Sequence, residues 1–129
     1  MHITAMTNGK LFFNTYTKNF KKAHIVDIGS QDVNGSLKNV CPNHFKYIGV
    51  DFVKGKGVDV ILNDPYTLPF EDNSIDGFYS HMLYCMALTT SDLENLNKEI
   101  HRILKPGGIN IYTVRHTNDG DFKKGVQIV

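Results

Sequence analysis

The sequence predicts an α/β domain built on a mostly parallel β-sheet. Continuous apolar runs that end in an acid recur along the chain, as in AHIVDI (23–28) and YIGVDF (47–52). Their lack of polar alternation indicates strands that are buried on both faces, as in a parallel sheet covered by helices. A helix with one apolar face is predicted later, over SDLENLNKEIHRIL (91–104). We therefore expect three layers, with a sheet between two layers of helices.

The N-terminal segment, residues 1–22, carries a predicted amphipathic helix. Leu11, Phe12, Tyr16 and Phe20 recur at spacings near three and four residues, which is typical of one helical face. We expect this helix to pack against the sheet as a lid or brace.

A second helix is predicted between the first two strands. Leu37, Val40, Cys41 and Phe45 lie there at helical spacing. The chain from 23 to 52 therefore reads as strand, helix, strand, which is the repeating unit of a doubly wound sheet.

Three further apolar runs predict the remaining strands. They are VDVIL (58–62), IDGFYS (75–80) and INIYTV (109–114). We expect five parallel strands in the order 3-2-1-4-5, with a core over residues 23–114 and a tail over 115–129.

The helix before the fifth strand has start and stop signals. Ser91 and Glu94 match the S-x-x-E capping box, in which each side chain bonds the other residue's backbone N–H. Lys105-Pro106-Gly107-Gly108 (105–108) ends the helix, since proline cannot extend it and glycine tolerates the left-handed cap.

Composition limits the classes of protein that fit. The 129 residues are 41% hydrophobic and predict a single domain over 1–129. With 14 basic and 13 acidic residues scattered along the chain, a nucleic-acid partner is not favoured. Cys41 and Cys85 are the two cysteines, and the N-terminus lacks the apolar segment of a signal or membrane span, so we expect a cytoplasmic protein.

The loop after the first strand is the candidate binding site. VDIGSQDVNGS (26–36) places Gly29 and Gly35 where doubly wound sheets contact a ligand, although both glycines could serve turns alone. Asp51 ends the second strand, where a carboxylate can accept the hydroxyl hydrogens of a ribose. Asp27 would repel a pyrophosphate and favours a cation instead. The ammonium and sulfonium of S-adenosylmethionine fit these charges.

These segments resemble class I S-adenosylmethionine-dependent methyltransferases, whose fold is Rossmann-like. VDIGSQDVNGS resembles the first motif of that family, YIGVD its ribose-binding strand end, NDPYTLPFEDNSID its third and fourth strand region, and EIHRILKPGG its helix before the fifth strand. The segments follow in family order from residue 24 to about 114. Gln31 departs from the commonest motif, which has glycine there, so its side chain would either crowd the cofactor or hydrogen-bond to it.

The resemblance implies a set of residues that bind S-adenosylmethionine. Asp64 occupies the place where the family often contacts the adenine amino group, and Phe52 and Tyr66 would border the adenine, although each could be ordinary packing. The predicted cofactor-binding residues are Asp27, Gly29, Ser30, Gln31, Asp51, Phe52, Asp64, Pro65, Tyr66 and Ser80.

The methyl acceptor of this family usually binds near the end of the fourth strand, here SHMLY (80–84). His81 is the candidate catalytic base because its ordinary pKa lies near neutrality, but it could equally line the pocket. Arg115, His116 and Asp119 follow the fifth strand and could bind a polar acceptor or form a solvated loop. The acceptor itself is expected to be a small molecule.

A zinc site is an alternative interpretation of two short segments. CPNH (41–44) and HMLYC (81–85) offer soft ligands, but Cys41 and His44 should lie near the amino ends of the strands and His81 near a carboxyl end. No metal is therefore expected.

Two other functions are compatible with the sequence. One is a non-catalytic module that binds S-adenosylmethionine or S-adenosylhomocysteine, and the other is an NAD-dependent oxidoreductase, which Asp27 and the lack of a full G-x-G-x-x-G disfavour. The family's sheet usually has two more strands, which this chain is expected to lack. The fifth strand would then be an open edge that the tail 120–129, a second protomer or an absent segment could cover.

Overall fold

The computed structural model describes residues 3–33, 35–64, 67–81, 89–115 and 122–128. Its strands are β1 (His24–Ile28), β2 (Lys46–Asp51), β3 (Val60–Ile61), β4 (Ile75–His81), β5 (Leu104–Arg115) and β6 (Phe122–Ile128). Its helices are α1 (Ile3–Leu11), a π-helix (Phe12–Tyr16), a 3₁₀-helix (Leu37–Val40) and α2 (Thr90–Ile103). Within these ranges, no helix has the length and apolar character needed to span a membrane.

The six strands form one sheet in the order β3-β2-β1-β4-β5-β6. The pairs among β1 to β5 are parallel, so the predicted order 3-2-1-4-5 is confirmed. Of the three coverings considered for the edge of the fifth strand, the tail 120–129 is the one observed, because β6 pairs antiparallel with β5 from Arg115 opposite Phe122 to Ile109 opposite Ile128. The tail thus supplies one of the two strands that the chain was expected to lack, and association of two protomers through that edge of β5 would have to displace β6.

Hydrophobic cores lie on both faces of the sheet. One contains Val26, Ile28 and Phe78 together with Leu96 and the rest of the buried face of α2. The other contains Ile25 and Tyr79 together with Phe12, Phe13 and Leu37 from the segments on the opposite face. The alternation along β1 divides its side chains between the two cores, as expected for a central parallel strand.

The N-terminal helix differs from its prediction over residues 11–20. It begins earlier, as α1, and continues into the π-helix, while Leu11 is 45% exposed. The adjacent Phe12 and Phe13 are both buried and meet edge to face at 4.9 Å, and Phe12 also lies 5.6 Å from the Tyr79 ring. This segment braces the sheet through these two rings, and Tyr16 and Phe20 of the predicted face also pack against the same core.

The predicted crossover helix between β1 and β2 is wrong in type and length. The described residues there form only the 3₁₀-helix, capped by the Ser36 hydroxyl, which accepts the Lys38 N–H at 3.1 Å. Leu37, Val40, Cys41 and Phe45 still contribute to one core. Helical spacing correctly indicated burial, but the residues after Val40 do not continue the helix.

The N-cap of α2 is Thr89, two residues before the predicted capping residue Ser91. Its capping box uses Thr89 and Asp92: the Thr89 hydroxyl accepts the Asp92 N–H at 3.1 Å, and the Asp92 carboxylate accepts the Thr89 N–H at 3.4 Å. Ser91 and Glu94 are therefore helix residues, because two overlapping cap patterns occur in the sequence and the earlier one is used. At the other end, residues 105–108 form a bulge within β5, whose pairing with β4 passes from Leu104 opposite Ile75 to Ile109 opposite Gly77.

Candidate cofactor site

The candidate site lies where the parallel strands β1 to β4 end. The register places Asp27 beside Gly49 of β2 and Tyr79 of β4, one residue before Ile28 beside Ser80. Asp51 lies beside Ile61 of β3. The predicted residues on β1, β2 and β4 are thus brought to the same edge of the sheet.

Gly29 turns the chain out of β1. Its φ is +79°, a left-handed conformation that favours glycine, and its N–H donates to the Val50 carbonyl at 2.8 Å. Within the part of the chain that the structure describes, a Cβ atom placed on Gly29 would meet no atom within 4 Å beyond its two chain neighbours. The space beside this turn is therefore open to a ligand.

Asp51 joins the end of β2 to the glycine loop. It is buried, and its Oδ2 accepts the Gln31 N–H at 3.0 Å while its Oδ1 accepts the Phe52 N–H at 2.7 Å. A carboxylate has about four acceptor positions, so two such bonds leave acceptor capacity for hydroxyl groups. The two backbone donors fix the orientation of the carboxylate in advance of any ligand.

Asp27 is enclosed behind the loop. It is 1% exposed, and its Oδ2 accepts the Tyr47 hydroxyl hydrogen at 2.5 Å. Burial raises the pKa of Asp27 to about 7, the Tyr47 hydrogen bond opposes that rise, and the charge of Asp51 adds to it. Burial and the neighbouring Asp27 also raise the pKa values of Tyr47 and Tyr79, so both phenols stay protonated. A cation near Asp27 would favour its ionised form.

The loop between β2 and β3 packs on the glycine loop. The Ser30 hydroxyl donates to the Gly57 carbonyl at 2.9 Å, and the Asp32 N–H donates to the Lys56 carbonyl at 2.7 Å. Lys56 Nζ also lies 3.7 Å from an Asp32 carboxylate oxygen. Through these contacts the two loops pack together on one side of Asp51.

The other predicted residues differ in their positions. Phe52 is half-buried against one core, Ser80 is buried, and Asp64 is exposed. Pro65 and Tyr66 lie outside the described residues, and His81 is described only as the last residue of β4, without its side chain.

The predicted acceptor region is described only in part. Met82, Leu83, Tyr84, His116 and Asp119 lie outside the described residues. Arg115 is placed as the end of β5, without its side chain.

The soft side chains weighed as zinc ligands are also described in part. Burial raises the pKa of the half-buried Cys41 thiol to about 11, which disfavours the thiolate that zinc requires. The His44 ring packs edge to face on Phe45 at 4.4 Å. Cys85 is outside the described residues, and among those described no three His, Cys, Asp or Glu side chains form a metal-binding group.

Sequence reasoning missed the residues that support the site from behind or from the side. They are Tyr47, Asp32, Gly55, Lys56 and Gly57. Tyr47 lies inside a predicted strand, and nothing in the sequence pattern shows that its hydroxyl reaches Asp27 on the adjacent strand β1. The glycines at 55 and 57 were a signal that the β2–β3 loop makes close contacts.

Comparison with known proteins decides the family. A family model described as a methyltransferase domain matches residues 9–112, more than half of the chain. The chain belongs to this methyltransferase family. The resemblance seen in the sequence motifs to class I S-adenosylmethionine-dependent methyltransferases is thereby confirmed.

Relatives of this methyltransferase domain act on different acceptors. It is 34% identical over 88 residues to 24-methylenesterol C-methyltransferase 2 of Arabidopsis thaliana, covering 68% of this chain and 22% of the relative. It is 31% identical over 70 residues to malonyl-[acyl-carrier protein] O-methyltransferase 1 of Coxiella burnetii (strain RSA 493 / Nine Mile phase I), covering 51% of this chain and 24% of the relative.

A solved structure shares the fold of this methyltransferase domain. It is an S-adenosylmethionine-dependent methyltransferase from Archaeoglobus fulgidus, with a TM-score of 0.61 and 21% identity, covering 87% of this chain and 54% of that one. The methyltransferase domain described here thus spans about half of that structure and less than a quarter of the two curated relatives' lengths.

Proposed function

We propose that this chain binds S-adenosylmethionine at the carboxyl edge of its sheet and transfers the methyl group to a small-molecule acceptor. The observation that carries the proposal is Asp51, a buried carboxylate at the end of β2 that two backbone N–H groups orient beside an open glycine turn. A ribose diol donates two hydrogen bonds, and a pre-oriented carboxylate accepts them at little entropic cost.

The charges near Asp51 suit the rest of the cofactor. The open side of Gly29 would accommodate the methionine part, and Asp27 would supply a negative charge behind it. Phe52 and the exposed Asp64 follow β2 and β3 and would lie on the adenine side. When bound, the cofactor supplies an electrophilic methyl group on a cationic sulfur.

The acceptor is proposed to enter beside the end of β4. This strand neighbours β1 and brings Ser80 and His81 to the same edge as the glycine turn. Methyl transfer depends on alignment and exclusion of water, and a base is required only when the acceptor atom must lose a proton first. His81 is proposed for that role.

A non-catalytic binding module is the second candidate. It is supported by the side chains and the turn that are described at the site, since Asp51 and Gly29 account for cofactor binding and not for an acceptor. Such a module would keep Asp51 and the glycine turn but would not complete an acceptor pocket.

Calorimetric titration with S-adenosylmethionine, S-adenosylhomocysteine and NAD tests the binding half of the proposal. We expect the first two to bind and NAD not to bind. Replacing Asp51 with alanine should weaken binding by about 1.5–3 kcal/mol, the range for hydrogen bonds to a charged group. An unchanged affinity in a folded Asp51→Ala variant would contradict the ribose assignment.

Turnover tests the catalytic half. Release of S-adenosylhomocysteine should depend on the added acceptor and should fall when His81 is replaced by asparagine, with cofactor affinity retained. If the chain binds the cofactor but methylates no acceptor from a panel of sterols, carboxylic acids and amines, the binding module is favoured.

A further inference from the structure

We propose that Gln31 and Gly55 are a compensating pair, in which the missing side chain of Gly55 leaves room for the Gln31 side chain to lie away from the cofactor. The inference rests on the proposed binding of S-adenosylmethionine and adds two residues that set its affinity. It explains how a long side chain is accommodated at a motif position where the family most often has glycine.

The contact between the two residues is specific. A Cβ atom placed on Gly55 would lie 2.6 Å from Gln31 Nε2, 2.9 Å from its Cγ and 3.0 Å from its Cδ. These are the three nearest atoms, and all belong to the one side chain. The Gln31 side chain therefore occupies the space that a Cβ at residue 55 would need.

The backbone conformation does not explain the glycine at residue 55. The glycines with positive φ are Gly29, Gly35, Gly57 and Gly107, and Gly55 is not among them. A positive φ therefore does not require glycine there. The close approach of Gln31 is then the reason that the structure offers for the absence of a side chain.

The Gln31 backbone is fixed beside the proposed ribose site. Its N–H donates to Asp51 Oδ2 at 3.0 Å, and the next residue, Asp32, is held by the Lys56 carbonyl at 2.7 Å. A Gln31 side chain displaced from Gly55 would start from a backbone that these two hydrogen bonds hold beside Asp51. It would then compete for the space beside that carboxylate, where the ribose is proposed to bind.

A double-mutant cycle on the full chain tests the pair. The dissociation constant for S-adenosylhomocysteine is measured by calorimetry for the wild type, Gly55→Ala, Gln31→Gly and the double variant. We expect Gly55→Ala to weaken binding about tenfold when Gln31 is present and less than about twofold when Gln31 is replaced by glycine. This rescue separates steric competition from a general loss of loop structure, which Gln31→Gly would not repair.

The outcomes separate this inference from the proposed function. If the wild type fails to bind S-adenosylhomocysteine, the proposed function fails and the pair loses its role with it. If the wild type binds and Gly55→Ala has the same effect in both backgrounds, or no effect, the pair is refuted and the proposed function stands. A nuclear Overhauser contact between the Gln31 side-chain amide and the Gly55 Hα atoms is also expected in the wild type, and its absence would refute the pair without any substitution.

Discussion

Replacing Asp27 with asparagine should remove a large part of the pH dependence of this protein's stability. Asp27 is 1% exposed, and burial raises its pKa from an ordinary value of about 3.9 to about 7. The groups facing it are the Tyr47 hydroxyl, Tyr79 and the like charge of Asp51. The uncharged amide of asparagine can still accept the Tyr47 hydrogen bond.

The direction in which the free energy of unfolding changes with pH follows from proton binding by Asp27. Between pH of about 4 and about 7 the folded chain holds a proton on Asp27 that the unfolded chain has released, so the free energy of unfolding falls as pH rises through this interval. The stabilising contribution is complete below pH of about 4 and lost above pH of about 7. Since a tenfold change in proton affinity corresponds to 1.36 kcal/mol, a rise to about 7 corresponds to about 4 kcal/mol over the interval.

Urea unfolding at pH 5 and pH 8 measures the effect. The wild type should lose stability relative to Asp27→Asn between these two pH values, by a few kcal/mol. Glu94→Gln, which removes an exposed carboxylate on α2, is the control and should follow the wild type. Equal pH dependence in the wild type and Asp27→Asn would refute the reasoning, because it would mean that the buried carboxylate does not titrate in this range.

Three further substitutions have defined outcomes. Gly29→Val should abolish binding of S-adenosylhomocysteine in calorimetry and cost about 1–2 kcal/mol of stability, because valine is strained at a φ of +79°. Arg102→Met should lower the free energy of urea unfolding by about 2 kcal/mol. The Arg102 guanidinium donates hydrogen bonds to the Glu99 and Asp72 carboxylates and to the backbone carbonyls of residues 68 and 70. The control Lys105→Met removes a partly exposed ion pair and should lower the free energy of unfolding by less than about 1 kcal/mol. Thr89→Ala should lower the melting temperature through loss of about 1 kcal/mol of capping energy, and Ser91→Ala should leave it nearly unchanged, the reverse of what the S-x-x-E pattern alone predicts.

The central parallel strands could be predicted from the sequence because each is a nearly continuous apolar run, and their order follows from the doubly wound fold that these runs indicate. Burial on both faces leaves little room for polar residues, so the pattern survives in β1, β2 and β4. The tail could not be predicted in this way. FKKGVQI (122–128) has no continuous apolar run, and its place beside β5 depends on the unpaired backbone of that strand.

The incorrect predictions at the start of α2 and at the N-terminal helix have related causes. At α2 two overlapping cap sequences compete, and only their relation to the folded backbone selects Thr89. At the π-helix, Phe12 and Phe13 are both buried whereas Leu11 is 45% exposed, so the buried face is not the one that the spacing from Leu11 indicates. A one-dimensional pattern records which residues are apolar but not which competing local arrangement the packing selects.

The residues of the candidate site at strand ends could be predicted from the sequence, whereas the contacts between its loops could not. Asp27, Gly29 and Asp51 end or follow strands, and parallel strands bring their carboxyl ends to one edge, so their proximity follows from the order of the strands. The Gln31–Gly55 contact joins two loops with no periodicity. Its geometry depends on how the loops pack, which neither residue's spacing encodes.

The antiparallel direction of β6 decides where an attachment can be made to this protein. Ile128 lies opposite Ile109, which is level with Gly77 near the start of β4 and Ile25 near the start of β1, whereas the candidate site is at the carboxyl ends of the parallel strands. A polypeptide fused after β6 would leave from the opposite edge of the sheet. Immobilisation tags and reporter domains placed there should therefore leave access to the glycine turn unobstructed.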